Sequence, residues 1–420
     1  MTPLKKLQTA RTIRSIGQGI AVVDLTLYLR ALGWSAPAIG GVLTGAALAG
    51  SALMLAVGYL SDRRGRKPFL AAYECVTAVS ALGLALTHNP WILTLAIVLT
   101  GFGRGQNGAA GPFTPAEQAW MVRYIPPRRR SQVLSVNTAL GFFGMALGAL
   151  LAGAAHVWRP WFPGPERFAP LFALIALLSL VTAALVMTTP EERSEKRSPA
   201  ESNSRETRTV VRRENRDLAK LALINGFNGL AVGLFGPLMS YWFSARFHAS
   251  STAIAASLSL SLAVTGVASL ASGHLAQKVG TIRAIVWLQI VGVLLTMAIP
   301  WMPTFLWASV LYTLRSAFSR STQGVRSALS TSLTRDERRG LAVSINSLSM
   351  RLPSAIGPTI AGYLLENGDF GLPFVLGGLL QLASTLSYRW FFARVDEDQR
   401  GSLGGGSQAS NPPSHAASTK

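Results

Sequence analysis

Twelve apolar stretches, each about as long as a lipid bilayer is thick, limit this chain to very few folds. They run over residues 14–31, 37–57, 69–87, 91–112, 131–155, 168–188, 218–243, 251–276, 281–300, 304–328, 339–364 and 371–393. An α-helix rises about 1.5 Å per residue, so roughly twenty apolar residues cross the hydrocarbon core. Inside lipid no water bonds the backbone, so each crossing must satisfy its own amides as a helix. Only 14% of the 420 residues are charged and 49% are hydrophobic, whereas a soluble domain carries about a quarter charged. The reading is an all-α polytopic membrane protein with twelve transmembrane helices. Their richness in Gly, Ala and Ser suits helices that pack closely in lipid.

The net charge of +20 does not form one nucleic-acid-binding face. It is spread over short loops. Lys5, Lys6, Arg11 and Arg14 precede the first span; Arg63 to Lys67, Arg128 to Arg130, Lys278, Arg335 and Arg394 follow alternate spans. The loops between them, such as 88–90 and 300–303, are nearly bare. Basic loops mark the cytoplasmic face, so both termini are expected there, in a cell (inner or plasma) membrane. Trp34, Trp91, Trp158, Trp161, Trp242 and Trp301 fall near the opposite ends, where an aromatic belt is expected. The first apolar stretch contains Asp24 and has no small-residue cleavage site, so it reads as a retained span. The single cysteine, Cys75, lies in an apolar run, and no metal, redox or cofactor motif is present. Histidines are absent from the span centres and no nucleophile–base constellation appears, which argues against an enzyme.

The chain repeats itself. Gly58-Tyr-Leu-Ser-Asp-Arg-Arg-Gly65 has a degraded copy at Gly273-His-Leu-Ala-Gln-Lys-Val-Gly280. Arg130, Asn137, Gly148, Ala152 and Gly153 return 209 residues later as Arg339, Asn346, Gly357, Ala361 and Gly362. Two six-helix bundles are therefore expected, at 1–189 and 218–395. Between them, residues 190–217 carry seven acids and eight bases with little apolar content and read as a disordered cytoplasmic linker. Residues 396–420 read as a disordered tail.

The stretch from Gly58 to Leu70 resembles the signature loop of the major facilitator superfamily, G-x-L-x-D-R-x-G-R-K-x-x-L. Gly58, Leu60, Asp62, Arg63, Gly65, Arg66, Lys67 and Leu70 occupy its fixed positions. The resemblance covers about residues 1–395. It implies two halves related by an axis along the membrane normal, rocking to open one central site to each side in turn. In that picture Gly58, Asp62, Arg63, Gly65, Arg66 and Lys67 form a gating loop, with Asp62 capping a helix start and pairing with Arg66. The sequence departs from the pattern twice. The span-five signature of exporters, G-P-x-x-G-G, reads Gly148-Ala-Leu-Leu-Ala-Gly153 here, although the repeat keeps Pro358, so the direction of transport stays open. Arg123 stands where an aspartate often follows span four, with Glu117 the alternative acid.

Charges at mid-bilayer are costly and mark function. Asp24 lies ten residues past Arg14, about 15 Å along a helix, with Gly17, Ala21 and Tyr28 on its face. Arg104 opens a short motif, Arg104-Gly-Gln-Asn107-Gly108, that resembles the superfamily's span-four signature associated with proton coupling. Tyr312, Arg315, Ser319, Thr322 and Arg326 form a stripe on span ten. Asn225 and Asn228 lie on span seven and Arg351 on span eleven. Because spans one, four, seven and ten line the cavity in this superfamily, the resemblance implies that Asp24, Arg104, Asn228 and Arg315 face it. Proton coupling is expected at Asp24 and Arg104, and substrate contact at Tyr28, Asn107, Asn225, Asn228, Tyr312, Arg315, Ser319 and Arg351. Glu74 reads as a partner for loop arginines. The expected activity is proton-coupled efflux of a small molecule by a monomer in the bilayer. Uptake or exchange of an organic anion is the alternative, and a non-transporting receptor or scaffold the second.

Overall fold

The structure, a computed structural model, describes residues 2–64, 66–102, 117, 120–121, 124, 130–158, 160–190, 205–323, 325–326, 329 and 339–405. Within them lie thirteen α-helices and no strands. These are α1 (Pro3–Ala31), α2 (Ala36–Arg64), α3 (Lys67–Leu86), α4 (Pro90–Thr100), α5 (Arg130–Ala152), α6 (Ala169–Met187), α7 (Arg205–Phe235), α8 (Met239–Phe247), α9 (Ser251–Val279), α10 (Thr281–Ala298), α11 (Phe305–Ser321), α12 (Arg339–Glu366) and α13 (Leu372–Gly405). Seven of the described segments are long and apolar enough by themselves to cross a membrane. Of the other five expected spans, three fall short for visible reasons: α1 carries Asp24 and a basic start, α4 has eleven residues, and α11 has seventeen, with Arg315 and Arg320 among them.

The packing repeats with the sequence. In the first half α1 lies on α5 and α6, α3 on α6 and α4, and α2 on α4. In the second, α7 lies on α12 and α13, α10 on α13 and α11, and α9 on α11. Counting α7 and α8 as one span, advancing each partner by six spans turns the first set into the second. The halves meet along two seams, α2 against α12 and α5 against α9, and the same operation exchanges them.

Glycines set the closest approaches. A Cβ on Gly148 would collide with the Ile16 carbonyl, and one on its repeat, Gly357, with the Gly233–Leu234 backbone. The two residues thus do the same job in the two halves: they bring α5 onto α1 and α12 onto α7, as small residues do between helices in lipid. Gly40 meets the Pro358 carbonyl and Gly362 the Ala36 carbonyl in the same way across the α2–α12 seam.

One apolar core runs through both halves at the end where α1 finishes and α8 sits. It holds Leu25, Leu29, Phe172, Phe235, Phe243 and Phe374 together. Toward the end carrying the two chain termini it divides. Leu7, Leu70, Trp120 and Val186 form one cluster in the first half, and Leu221, Ile285, Tyr388 and Phe392 form a second in the other.

Several expectations are corrected. The linker expected to be disordered is helical from Arg205 onward, so α7 starts before its apolar stretch; residues 191–204 lie outside the described residues. Likewise α13 continues to Gly405, inside the expected disordered tail. Span seven is not one helix. It breaks at 236–238, where Pro237 has no amide to continue the ladder. Span four was expected to be continuous to residue 112, but its helix closes at Thr100, with Gly101 in the left-handed region at φ 68°. Position 62 falls within the bounds of α2, and the N-cap of α3 is Arg66; the expected capping by Asp62 rests on a side chain outside the described residues. Trp242 leaves the expected aromatic belt. It is buried at 2% exposure and donates to the Phe370 carbonyl at 2.9 Å, whereas Trp91, Trp161 and Trp301 are exposed.

Candidate functional site

Asp24 is wholly buried on α1, and neither carboxylate oxygen has a hydrogen-bond partner. Its helix face is fixed by its neighbours at three- and four-residue spacing. Gly17 faces Ile175 of α6. Tyr28 donates to the carbonyls of Leu84 at 3.1 Å and Thr87 at 3.4 Å, and stacks edge-on against Phe168 and Phe172. The face that was expected to open on a cavity between the halves therefore turns into the first half, against α3 and α6. An aromatic cluster at one end and a glycine contact at the other hold it there. The cation that acts on Asp24 is Arg167, from the 3₁₀ turn Gly164–Phe168 that leads into α6. Arg167 also lies over the Phe168 ring at 4.9 Å. Sequence reasoning missed it because it sits in a loop.

The polar stripe of α11 turns inward in the second half by the same logic. Arg315 is buried at 2% exposure; its Nε donates to Thr296 Oγ1 of α10 at 3.1 Å, and its Cζ lies 4.4 Å from the Phe235 ring centroid. Ser319 is buried where Gly292 of α10 leaves room for its hydroxyl. Tyr312 accepts from Arg320 at 3.0 Å and packs edge-on against Phe243. The printed contacts of Arg315 and of Asp24 thus lie each within its own half.

Asn225 of α7 bonds to α12, to α13 and to Arg326, which follows α11 in the chain. Its Nδ2 donates to Asn346 Oδ1 of α12 at 2.8 Å. Its Oδ1 accepts from Arg326 at 2.8 Å and from the Tyr388 hydroxyl of α13 at 3.1 Å. Arg326 Nε also donates to Tyr388 at 3.0 Å. These partners all belong to the second half. Asn228, one turn on, is buried with its Oδ1 unpartnered. Arg351 is half-buried on α12, and Tyr73 of α3, in the other half, acts on it electrostatically. Arg104, Asn107 and Gly65 lie outside the described residues, as do the side chains at 58, 62 and 63. Arg66 and Lys67 flank the start of α3.

A second charge cluster was not assembled by the sequence analysis. Arg14 of α1 pairs through Nε with Glu74 of α3 and through Nη1 with Glu117. Glu74 therefore meets Arg14, which lies within α1. The available signal was a register match: α1 and α3 run parallel, so Arg14 and Glu74 lie level just as Tyr28 and Leu84 do. Among the described residues no group of His, Cys, Asp and Glu is placed to hold a metal.

The end opposite the termini is closed between the halves. Arg30 donates to Ser244 at 2.6 Å and lies over Tyr241. Ser240 donates to the Val22 carbonyl at 3.2 Å, Glu366 accepts from the Ala36 amide at 3.2 Å, and the hydroxyls of Thr44 and Thr359 meet at 2.7 Å. Among the described residues, the halves share one apolar core at this end and form separate clusters at the other.

Known proteins show the same architecture. A bacterial homologue of the human lysosomal transporter Spinster, solved inward-facing and unoccupied, superposes with a TM-score of 0.66 at 15% identity, covering 96% of this chain and 97% of that one. The nucleoside transporter NupG gives 0.67 at 15% identity over 93% and 99%, and a D-xylose–proton symporter 0.68 at 14% over 92% and 97%. In sequence, the multidrug resistance protein MdtH of Shigella boydii is 25% identical over 378 residues, 87% of this chain and 88% of its own. An uncharacterized membrane protein of Saccharomyces cerevisiae is 22% identical over 94% of both. The sequence pattern of the Major Facilitator Superfamily matches residues 9–219 and 221–416. This chain belongs to the major facilitator superfamily of membrane transporters.

Proposed function

We propose that the protein is a proton-coupled exporter of a small molecule, working by alternating access, with Asp24 as the proton carrier. The observation that carries this reading is the Asp24 carboxylate: fully buried, without a hydrogen bond, and acted on by one arginine from the closed end. A buried carboxylate is held between desolvation, which favours the proton, and a nearby cation, which favours its loss. A rocking motion that changes its distance to Arg167 therefore loads and unloads a proton without covalent chemistry. The export direction is supported by the MdtH relatives, which are named for multidrug resistance.

The test uses purified protein in proteoliposomes. A compound found by thermal-shift screening is supplied, and a proton gradient is imposed. Wild type accumulates the compound only with the gradient. Asp24→Asn retains binding and downhill exchange but loses gradient-driven accumulation. Full accumulation by a well-folded Asp24→Asn protein overturns the assignment.

A second reading, exchange of an organic anion, rests on Arg315. It is a buried guanidinium bonded to a hydroxyl and lying over a ring, and among the described residues no carboxylate bonds it. Buried charges are normally paired, and an anionic ligand group supplies that pairing. Under this reading Arg315→Ala lowers affinity for anions and leaves lipophilic cations unaffected. Equal anion affinity in the variant removes it.

A further inference from the structure

We propose that Glu74 is a second proton-binding site of the first half, held ready by Arg14. Its place in the transport cycle rests on the proton coupling proposed above; the site itself does not.

The cluster lies about 15 Å along α1 from Asp24, at ten residues' separation, on the side of the chain termini. Arg14, Glu74 and Glu117 are all buried, at 7%, 1% and 3% exposure. One guanidinium serves two carboxylates, each through a single oxygen. The other oxygens, Glu74 Oε2 and Glu117 Oε1, are buried with no donor. An ionised carboxylate accepts about four hydrogen bonds, so each is far from satisfied, and the two repel across the arginine.

The charges around Glu74 can be followed element by element. From α1 come Arg14 and, beyond it, Arg11, which acts on Glu117. From the 117–121 stretch comes Glu117. Helices α6 and α4, packed on α3, contain no titratable residue. Among the described residues, Glu117 is therefore acted on by two arginines, whereas Glu74 has a share of one. The proton goes to Glu74. It bonds to Oε2, the bare oxygen, and takes the carboxylate from −1 to neutral, while Oε1 keeps its bond from Arg14 Nε. Release returns the proton to water by the same atom, with no co-reactant.

The repeat supports this. The offset of 215 residues that relates Gly65 to Gly280 takes Glu74 to Gln289. Gln289 is wholly buried on α10, donates to Thr322 Oγ1 and accepts from Thr385 Oγ1. An amide is the neutral isostere of a protonated carboxylic acid. At the matching place the second half is permanently in the state that Glu74 reaches by taking up a proton.

The experiment is infrared spectroscopy of the purified full chain in lipid, in an Asp24→Asn background so that Asp24 contributes nothing. Acidification is expected to raise the carbonyl-stretch band of a protonated carboxylic acid. That band disappears in Glu74→Gln and persists in Glu117→Gln. Glu74→Asp, which keeps the carboxyl, moves the band without deleting it and serves if the amide variant folds poorly. A band of full strength in Glu74→Gln, or one unmoved in Glu74→Asp, overturns the proposal. If wild-type protein moves its substrate without protons, the coupling reading fails, and the band still decides whether Glu74 binds one.

Discussion

At the scale of single residues, Asn225 shows how an uncharged side chain sustains a buried charge. Its carbonyl oxygen is the shared acceptor for Arg326 and Tyr388, and its amide closes the link to Asn346. Asn225→Leu leaves a buried guanidinium short of an acceptor and is expected to cost about 2–4 kcal/mol. It should lower the midpoint of thermal unfolding of the purified protein. Arg326→Met added to Asn225→Leu should recover part of that loss, because replacing both partners is cheaper than orphaning one. An additive double mutant refutes the shared-acceptor account. Much at this scale was visible in the sequence: Asp24, Asn225 and Arg315 all stood out as polar residues in apolar runs. Their partners were not visible. Arg167 comes from a turn, and Arg14 meets Glu74 from sixty residues away. Such pairs depend on how helices are rotated about their axes, which hydropathy leaves undetermined.

At the scale of elements, the repeated glycines were legible as a mark of duplication, and the structure shows that they sit at close helix crossings. Gly148→Val and Gly357→Val each force backbone apart. Each is expected to reduce the yield of folded protein sharply, as measured by size-exclusion chromatography. A normal elution profile for both variants contradicts the contact. The orientation of the polar stripes was not legible. Periodicity gathers Asp24 with Tyr28, and Arg315 with Ser319, on one face each; it does not say whether that face looks to a sister helix or to the other half. Aromatic packing and Gly292 decide it. The α2–α12 seam offers a direct check on closure. With Thr44 and Thr359 in hydroxyl contact, the double variant Thr44→Cys, Thr359→Cys should oxidise to a disulfide that stops transport, with activity restored by reductant. Unimpaired transport by the fully cross-linked protein means that this seam does not open.

At the scale of the whole molecule, the two-bundle plan followed from the sequence because lipid demands long apolar runs and duplication left its offset in the loops. Basic residues assign a side to each loop. Cysteine introduced at Ser198 should label only after cells are permeabilised, and cysteine at Asn89 from outside. Labelling of Ser198→Cys in intact cells would reverse the topology. The break in the seventh span was not foreseen, although Gly236-Pro237 marks it in the sequence. It has a mechanical consequence. The short foot, α8, is fastened to the first half by Ser240 and Ser244, and the long arm, α7, is packed into the second by α12 and α13. The arm has 31 residues, roughly 46 Å at 1.5 Å per residue. A bend of about ten degrees at the knee sweeps its far end through about 8 Å by that geometry, more than one full turn of helix, while the foot stays where it is. By that geometry a small bend at the knee displaces the far end of α7 much more than it displaces α8.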